Sequence, residues 1–210
     1  MFGHSFQLAD VTCFNGNFYA VNKIGKVFRC ELGLEEGSSA PKCVEFANTP
    51  PQFRRTELNF IVDLGGHPCM IGCNYGQYQY IKEDGEVEME HINGEPQIAI
   101  SFLTEAIKIV RLDMHSRIWE SIFSLGDRSL FFGNCYSFSV LAADYLACTS
   151  NCIYFADNQS EFYNTTKGGG INTGIYNCAN KKILRLPVGD DEQGFQSKFT
   201  PPLWILPTSQ

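Results

Sequence analysis

A chain of 210 residues that is 44% hydrophobic and 19% charged can bury a substantial core as one large domain or two small ones. That excludes an intrinsically disordered chain and a miniprotein that needs disulfide staples. Sixteen Lys and Arg against 23 Asp and Glu leave a net charge of −7, a balance that repels a phosphate backbone and sets nucleic-acid binding aside.

In chain order, short runs rich in Phe, Tyr, Ile and Val alternate with Gly, Pro and Asn, the punctuation of strands and turns. The predicted strands are Phe18–Val21, Lys26–Leu32, Phe60–Leu64, Pro68–Cys73, Gln77–Lys82 and Ile107–Leu112. They continue with Ile118–Ile122, Leu130–Phe132, Phe138–Ala142, Cys152–Ala156, Gly174–Cys178 and Ile183–Leu186. Thr104–Val110 has some helical character, but the β-branched Ile107, Ile109 and Val110 argue for a strand. The predicted class is all-β.

Two strand patterns recur. Phe18-Tyr19-Ala20-Val21 and Ile153-Tyr154-Phe155-Ala156 are apolar on both faces, as a strand covered above and below must be. Lys26–Leu32 instead places Phe28, Cys30 and Leu32 on one face and Val27, Arg29 and Glu31 on the other, the alternation of a half-exposed strand.

The segments also echo one another. Asn15–Val21 with Gly25–Leu32 is matched by Asn151–Asp157 with Gly174–Tyr176 and Leu184–Leu186, and more loosely by Gly65–Ile71 with Ile109–Trp119. A repeat of turn, buried strand, glycine turn and amphipathic strand is what a β-propeller shows, at roughly 40 to 50 residues per blade. A sandwich of two sheets fits the pattern nearly as well.

Nothing at Met1–Phe14 reads as a basic segment leading into a long apolar core. The most apolar run, Ile98–Leu112, is broken by Ser101, Thr104, Glu105, Lys108 and Arg111, so neither an export signal nor a membrane helix is predicted. Nine cysteines, an odd number without paired spacing, predict reduced and mostly buried thiols. The expected compartment is cytoplasmic or nuclear. The sequons at Asn158 and Asn164 would matter only in the secretory pathway.

The series Ser124-Leu125-Gly126-Asp127-Arg128-Ser129-Leu130-Phe131-Phe132-Gly133, Ser137-Phe138-Ser139-Val140, Ala143-Asp144 and Asn151–Asp157 resembles the plant F-box-associated KIB-type β-propeller family, which is kelch-like. Asp10-Val11, Gly16–Val21, Arg111-Leu112-Asp113, Trp119-Glu120 and Pro201-Pro202-Leu203-Trp204 extend the match across nearly the whole chain. The resemblance implies an N-terminally truncated, partial (open) kelch-like β-propeller of about three to four antiparallel blades, occupying 1–210 as a single domain. Such an arc would expose its end blades and be marginally stable alone, or need a partner there. The family typically carries an F-box near its N-terminus, and its implied role is substrate recognition in cullin-based ubiquitin ligases. Met1 falls where that domain is already under way, so the segment that docks to the ligase is not expected here.

Gly126-Asp127-Arg128 reads first as a turn in which Asp127 caps backbone amides and Arg128 bonds carbonyls or a carboxylate, and second as a rim contact for a target. Trp119 and Trp204 read as packing between blades before interface anchors. His67, Cys69 and Cys73 lack the second ligand pair of a zinc module, as do Cys148 and Cys152. His4, His67, His91 and His115 stand in no nucleophile–base motif, and His115 reads as part of a hairpin turn. Lys167-Gly168-Gly169-Gly170 reverses the order of a phosphate loop.

Between Lys82 and Glu95 one lysine faces Glu83, Asp84, Glu86, Glu88, Glu90 and Glu95. This stretch reads as a solvated hairpin insertion or, more sharply, as a docking loop for a basic partner. No catalytic, cofactor-binding or metal residue is assigned. The expected function is a non-catalytic protein-interaction domain without cofactors, whose target is a protein rather than nucleic acid or membrane. An enzyme or carbohydrate-binding propeller, and a truncated product without activity of its own, are the alternatives.

Overall fold

The computed structural model describes residues 7–31, 42–53, 58–80, 82, 84–92, 95–133, 136–156, 172–186 and 204–205. Fifteen strands and two short 3-10 turns, Pro51–Phe53 and Ala142–Asp144, make up its regular structure. Among these residues there is no α-helix, and so none long and apolar enough to cross a membrane.

The first sheet is a four-stranded antiparallel meander of β1 (Leu8–Phe14), β2 (Asn17–Asn22), β3 (Val27–Glu31) and β4 (Lys42–Ala47), in that order. The second takes β5 (Leu58–Asp63), β6 (Pro68–Gln79), β9 (Ile100–Leu112) and β10 (Trp119–Ile122) in the order β10-β9-β6-β5. Between β6 and β9 the chain makes a separate hairpin, β7 (Met89–Ile92) with β8 (Glu95–Ile98). The third sheet holds β11 (Arg128–Phe132), β12 (Phe138–Leu141), β13 (Cys152–Phe155), β14 (Gly174–Asn177) and β15 (Lys182–Arg185), in the order β12-β11-β13-β14-β15. Each of the three sequence echoes falls in a different sheet, which is why they resemble one another: each encodes one blade-like meander.

All twelve predicted strands are present, two of them fused. Pro68–Cys73 and the first half of Gln77–Lys82 form the single strand β6, which ends at Gln79, because Asn74-Tyr75-Gly76 continues extended instead of turning. Thr104–Val110 lies wholly within β9, where its β-branched residues suit the pleat. The both-face burial expected of Phe18–Val21 and Ile153–Ala156 is found in Tyr19, Ala20 and Val21 and in all of Ile153–Ala156, but not at Phe18, which is exposed. The alternation expected of β3 is not found at its start. Val27, placed on the outward face by its spacing, is wholly buried, and only Arg29–Glu31 become half-exposed.

The chain forms two compact units. One comprises residues 1–74, 106–130 and 137–152. Its core gathers Phe14, Tyr19, Val21, Val27, Phe53, Ile61, Met70, Val110 and Leu112, with Phe46 and Trp119 packed against it. Burying such side chains contributes roughly 1.5–3 kcal/mol each.

The turn that leads into β3 is held from several sides in this unit. Asn22 Oδ1 accepts the Lys26 N–H at 2.8 Å, Asn59 Nδ2 donates to Lys23 O at 2.9 Å, and Thr49 Oγ1 donates to Ile24 O at 2.8 Å. Gly25 sits there at φ +82, and an added Cβ would meet Thr49 Cγ2 at 3.1 Å. Gly25→Ala is therefore expected to lower stability by about 1–2 kcal/mol, the cost of a left-handed backbone for an L-residue, in chemical denaturation. Loss of less than about 0.5 kcal/mol would show that the turn relaxes freely.

The other unit comprises residues 75–105, 131–136 and 153–210. Its interior is aromatic. Phe131 stacks on Tyr154 with ring centroids 4.6 Å apart, and Phe132 on Phe155 at 6.1 Å. Trp204 meets Phe131 edge-on and donates its indole N–H to Phe132 O at 3.0 Å.

Candidate functional site

Two surfaces, one in each unit, present chemistry suited to recognition. In the first unit an open cleft of about 590 Å³ is lined by Asn48, Thr49, Pro51 and Gln52 and by Arg117, Ile118 and Trp119. The turn Asp113–Arg117 builds one side. Asp113 Oδ1 accepts the N–H groups of His115 and Ser116 and the Ser116 hydroxyl, and those bonds hold the Asp113 carboxyl below its ordinary 3.8. His115 is therefore an exposed member of a hairpin turn. Arg117 occupies a left-handed conformation at φ 57 and lays its guanidinium 5.0 Å from the centre of the Phe46 ring.

Trp119 serves both as packing and as surface: it lies half-buried against the core and donates its indole N–H to Asn48 O at 2.8 Å while lining the cleft. The seven lining residues include no carboxylate, thiol or imidazole. What they offer is an indole face, a guanidinium and amide groups, which bind but do not transfer protons.

In the second unit the acidic stretch is a folded hairpin. A turn at Asp84-Gly85 is closed by Lys82 N–H to Glu86 O at 2.8 Å and Gly85 N–H to Lys82 O at 2.9 Å. Glu88 N–H then bonds Tyr80 O, and Ala99 N–H bonds Glu88 O, so the insertion is anchored by backbone at its base. Beyond that base Met89 faces Ile98 across the two strands, and both are exposed, as is Val87. Asp84, Glu86 and Glu95 are exposed on the same excursion. An apolar cross-strand pair flanked by carboxylates complements a segment that carries apolar and cationic side chains together.

The remaining candidates resolve into structural parts. At Gly126-Asp127-Arg128 the roles are partly exchanged. Arg128 does bond a carbonyl, donating to Ser139 O at 3.3 Å and to Ser139 Oγ at 3.1 Å. Asp127, however, is exposed, and its backbone O, accepting the Ala142 N–H at 3.0 Å, makes the bond there. The turn amides are capped instead by Asn151 Oδ1, which takes the Leu125 N–H at 2.8 Å, and by Ser124 Oγ, which takes that of Gly126 at 3.1 Å.

His67 is exposed in the turn before β6, whereas Cys69 and Cys73 are buried along that strand. Burial pushes the Cys69 thiol up to about 12 and raises Cys73 further, which makes both inert hydrophobes. Cys148 is half-buried in a turn and Cys152 buried at the start of β13, and burial raises both thiols. The structure brings neither cysteine pair together as a ligand set. His4, the Lys167–Gly170 run, both sequons and Pro201–Leu203 lie outside the described residues, as does the His91 side chain.

Sequence reasoning missed two polar hubs. In the first unit Asp10 accepts the Ile61 N–H at 3.0 Å and the Ser137 hydroxyl at 3.0 Å, besides the Val11 N–H. In the second unit Asn172 Oδ1 accepts the Thr104 N–H at 2.8 Å and Arg185 Nη1–H at 2.9 Å, while Arg185 also donates to Thr104 O and lies over the Phe155 ring. Asp10 stands within a matched motif, but nothing local shows what its carboxylate meets. Asn172 follows a glycine run and reads as loop punctuation.

Sheets of four, four and five strands, each holding a stretch of consecutive neighbouring strands, define a protein of the β-propeller class. The family model of the KIB1-4 β-propeller matches residues 3–177, and the chain belongs to that family. Among curated proteins it is similar to F-box protein At2g26160 of Arabidopsis thaliana, 36% identical over 55 residues. That stretch covers 26% of this chain and 17% of the relative. No solved structure matches.

Proposed function

We infer that the chain is a non-catalytic protein-recognition domain, a counterpart of the substrate-binding propeller of plant F-box proteins in ubiquitin ligases, and that its acidic hairpin receives a basic segment of the target. The single observation behind this reading is the hairpin itself: Met89 and Ile98, paired and exposed, stand on the same excursion as Asp84, Glu86 and Glu95. Membership of the propeller family and the F-box relative support the recognition role.

The experiment is binding of the full chain to an array of peptides combining Lys or Arg with apolar residues. Wild-type binding is expected to weaken with salt, and the Glu86→Lys, Glu95→Lys double variant to lose about tenfold in affinity or more, roughly 1.4 kcal/mol. Met89→Ser with Ile98→Ser is expected to weaken binding without altering the salt slope. Peptide binding indifferent to all four substitutions would end this reading. For the ligase role, affinity purification of the chain is the test: adaptor and cullin subunits recovered with it would tie recognition to ubiquitin transfer, and recovery of a target without them would separate the two.

A further inference from the structure

The first sheet carries a chemistry that the recognition reading does not use. Along one cross-strand row the register sets Cys13 opposite Phe18, Phe18 opposite Cys30, and Cys30 opposite Cys43. Three of the nine cysteines thus share a row on one sheet. The Cys30 and Cys43 sulfur atoms lie 3.0 Å apart. Cys13 stands two strands from Cys30 with Phe18 between them, roughly 10 Å at the usual strand spacing, which leaves it out of reach.

We propose that Cys30 and Cys43 form a reversible, peroxide-sensitive disulfide that staples the edge strand β4 to β3.

The geometry admits the bond without backbone rearrangement, the two side chains rotating to close the gap between their sulfur atoms. Directly opposed antiparallel residues hold their Cα atoms about 4.5–5.5 Å apart, inside the span a disulfide bridges. The register is pinned one residue further along, where Glu31 faces Lys42 and binds both Lys42 at 3.1 Å and Arg29 at 2.7 Å. Access is open, because β4 is the outermost strand of its sheet. Cys43 is exposed and Cys30 half-exposed, whereas Cys69, Cys73, Cys152 and Cys178 are buried.

That difference assigns the two roles. Hydrogen peroxide oxidises the exposed Cys43 thiol: an S–O bond forms, the peroxide O–O bond breaks, and one water leaves a sulfenic acid behind. The Cys30 sulfur then attacks the Cys43 sulfur, the S–O bond breaks, and a second water leaves as the disulfide forms. Two thiols lose two electrons, and one peroxide is reduced to two waters. Burial and the Cys43 thiol beside it push Cys30 up to about 11, so its thiolate is scarce at neutral pH and the second step quickens as pH rises. Once closed, the bridge rings the 14 residues from Cys30 to Cys43, restricting the unfolded chain and tying down an edge that would otherwise be free to fray.

The test is peroxide treatment of the full chain, followed by alkylation, peptide mass spectrometry and a thermal melt. Wild type is expected to yield a Cys30–Cys43 linked peptide with Cys13 still alkylated, and a melting midpoint raised by about 5 °C or more. Dithiothreitol should reverse both changes. Cys30→Ser is expected to accumulate dimedone-trapped sulfenic acid at Cys43, which wild type does not, and Cys43→Ser to leave Cys30 alkylatable. Both variants should melt within about 2 °C of reduced wild type, since each replaces a partly exposed thiol with a hydroxyl of similar size. The proposal is overturned if peroxide leaves Cys30 and Cys43 alkylatable in folded wild type, if bridges between two chains form in place of the internal one, or if dithiothreitol restores neither thiol.

Discussion

Asn172→Ala is expected to lower the stability of the fold by about 3 kcal/mol in chemical denaturation. The substitution takes one acceptor from two donors at once. The Thr104 N–H, within a strand whose side chain here is 1% exposed, loses its 2.8 Å partner. Arg185 loses one of its two acceptors while its guanidinium remains against the Phe155 ring. An unmet buried donor costs about 1–3 kcal/mol, and hydrogen bonds to charged groups lie at the upper end of that range. Water has little room to compensate, because Asn172 itself is 2% exposed. Asn172→Asp keeps the acceptor and adds opposite charge beside Arg185, so it is expected to lose clearly less than the alanine variant. Equal losses for the two would show that the side chain acts by filling space rather than by accepting these bonds.

Asp10→Ala is the counterpart in the other unit, with an expected loss of about 2–3 kcal/mol. Ile61 is 1% exposed, and its amide has the Asp10 carboxylate as acceptor at 3.0 Å. The Ser137 hydroxyl, also buried, donates to the same oxygen. Removing the carboxylate strands both, and the cost of stranding exceeds the net value of the bonds themselves.

The same residue carries a pH signature. Burial holds the Asp10 carboxyl above the ordinary 3.8, outweighing the hydrogen bonds from Ile61, Val11 and Ser137 that pull it down. The folded chain therefore keeps this proton to higher pH than the unfolded chain. The stability it contributes is complete below 3.8 and is lost as pH climbs through the raised value. Asp10→Asn cannot titrate, so its stability relative to wild type is expected to improve as pH rises above the ordinary 3.8, measured as the difference in denaturation free energy along a pH series. A constant difference would mean that Asp10 titrates alike in both states.

These two hubs mark where reading by residue pattern runs out. The twelve expected strands were legible because burial on one or both faces leaves an apolar period of two or an unbroken apolar run. Four strands, β1, β4, β7 and β8, and the first half of β9 escaped for the opposite reason. Leu8–Cys13 of β1 are exposed or half-exposed, so no unbroken apolar run marks it. β4 is an edge strand whose Lys42–Glu45 are exposed, so no buried face imposes an alternation. β7 and β8 run through the acidic hairpin, where solvent accepts almost any side chain. The first half of β9 interleaves Ser101, Thr104 and Glu105 with apolar residues, and it is a strand because β6 pairs along it. The acidic excursion was visible from charge alone, but its exposed Met89–Ile98 pair was not, because exposure of an apolar residue is decided by what fails to cover it.

From residues alone came the all-β class, the three echoing meanders, the acidic hairpin and the motif series that points to the propeller family. All of these follow from periodicity, charge and turn chemistry, which act between near neighbours and leave their mark in order along the chain. The tertiary structure alone decided that Asp10 serves Ile61 and Ser137, that Asn172 serves Thr104 and Arg185, that Trp119 and Arg117 edge a cleft, and that Cys30 meets Cys43. Each of those depends on register and packing between segments 13 to 127 residues apart. No local pattern encodes which distant backbone amide, ring or thiol a side chain will meet once the sheets have paired.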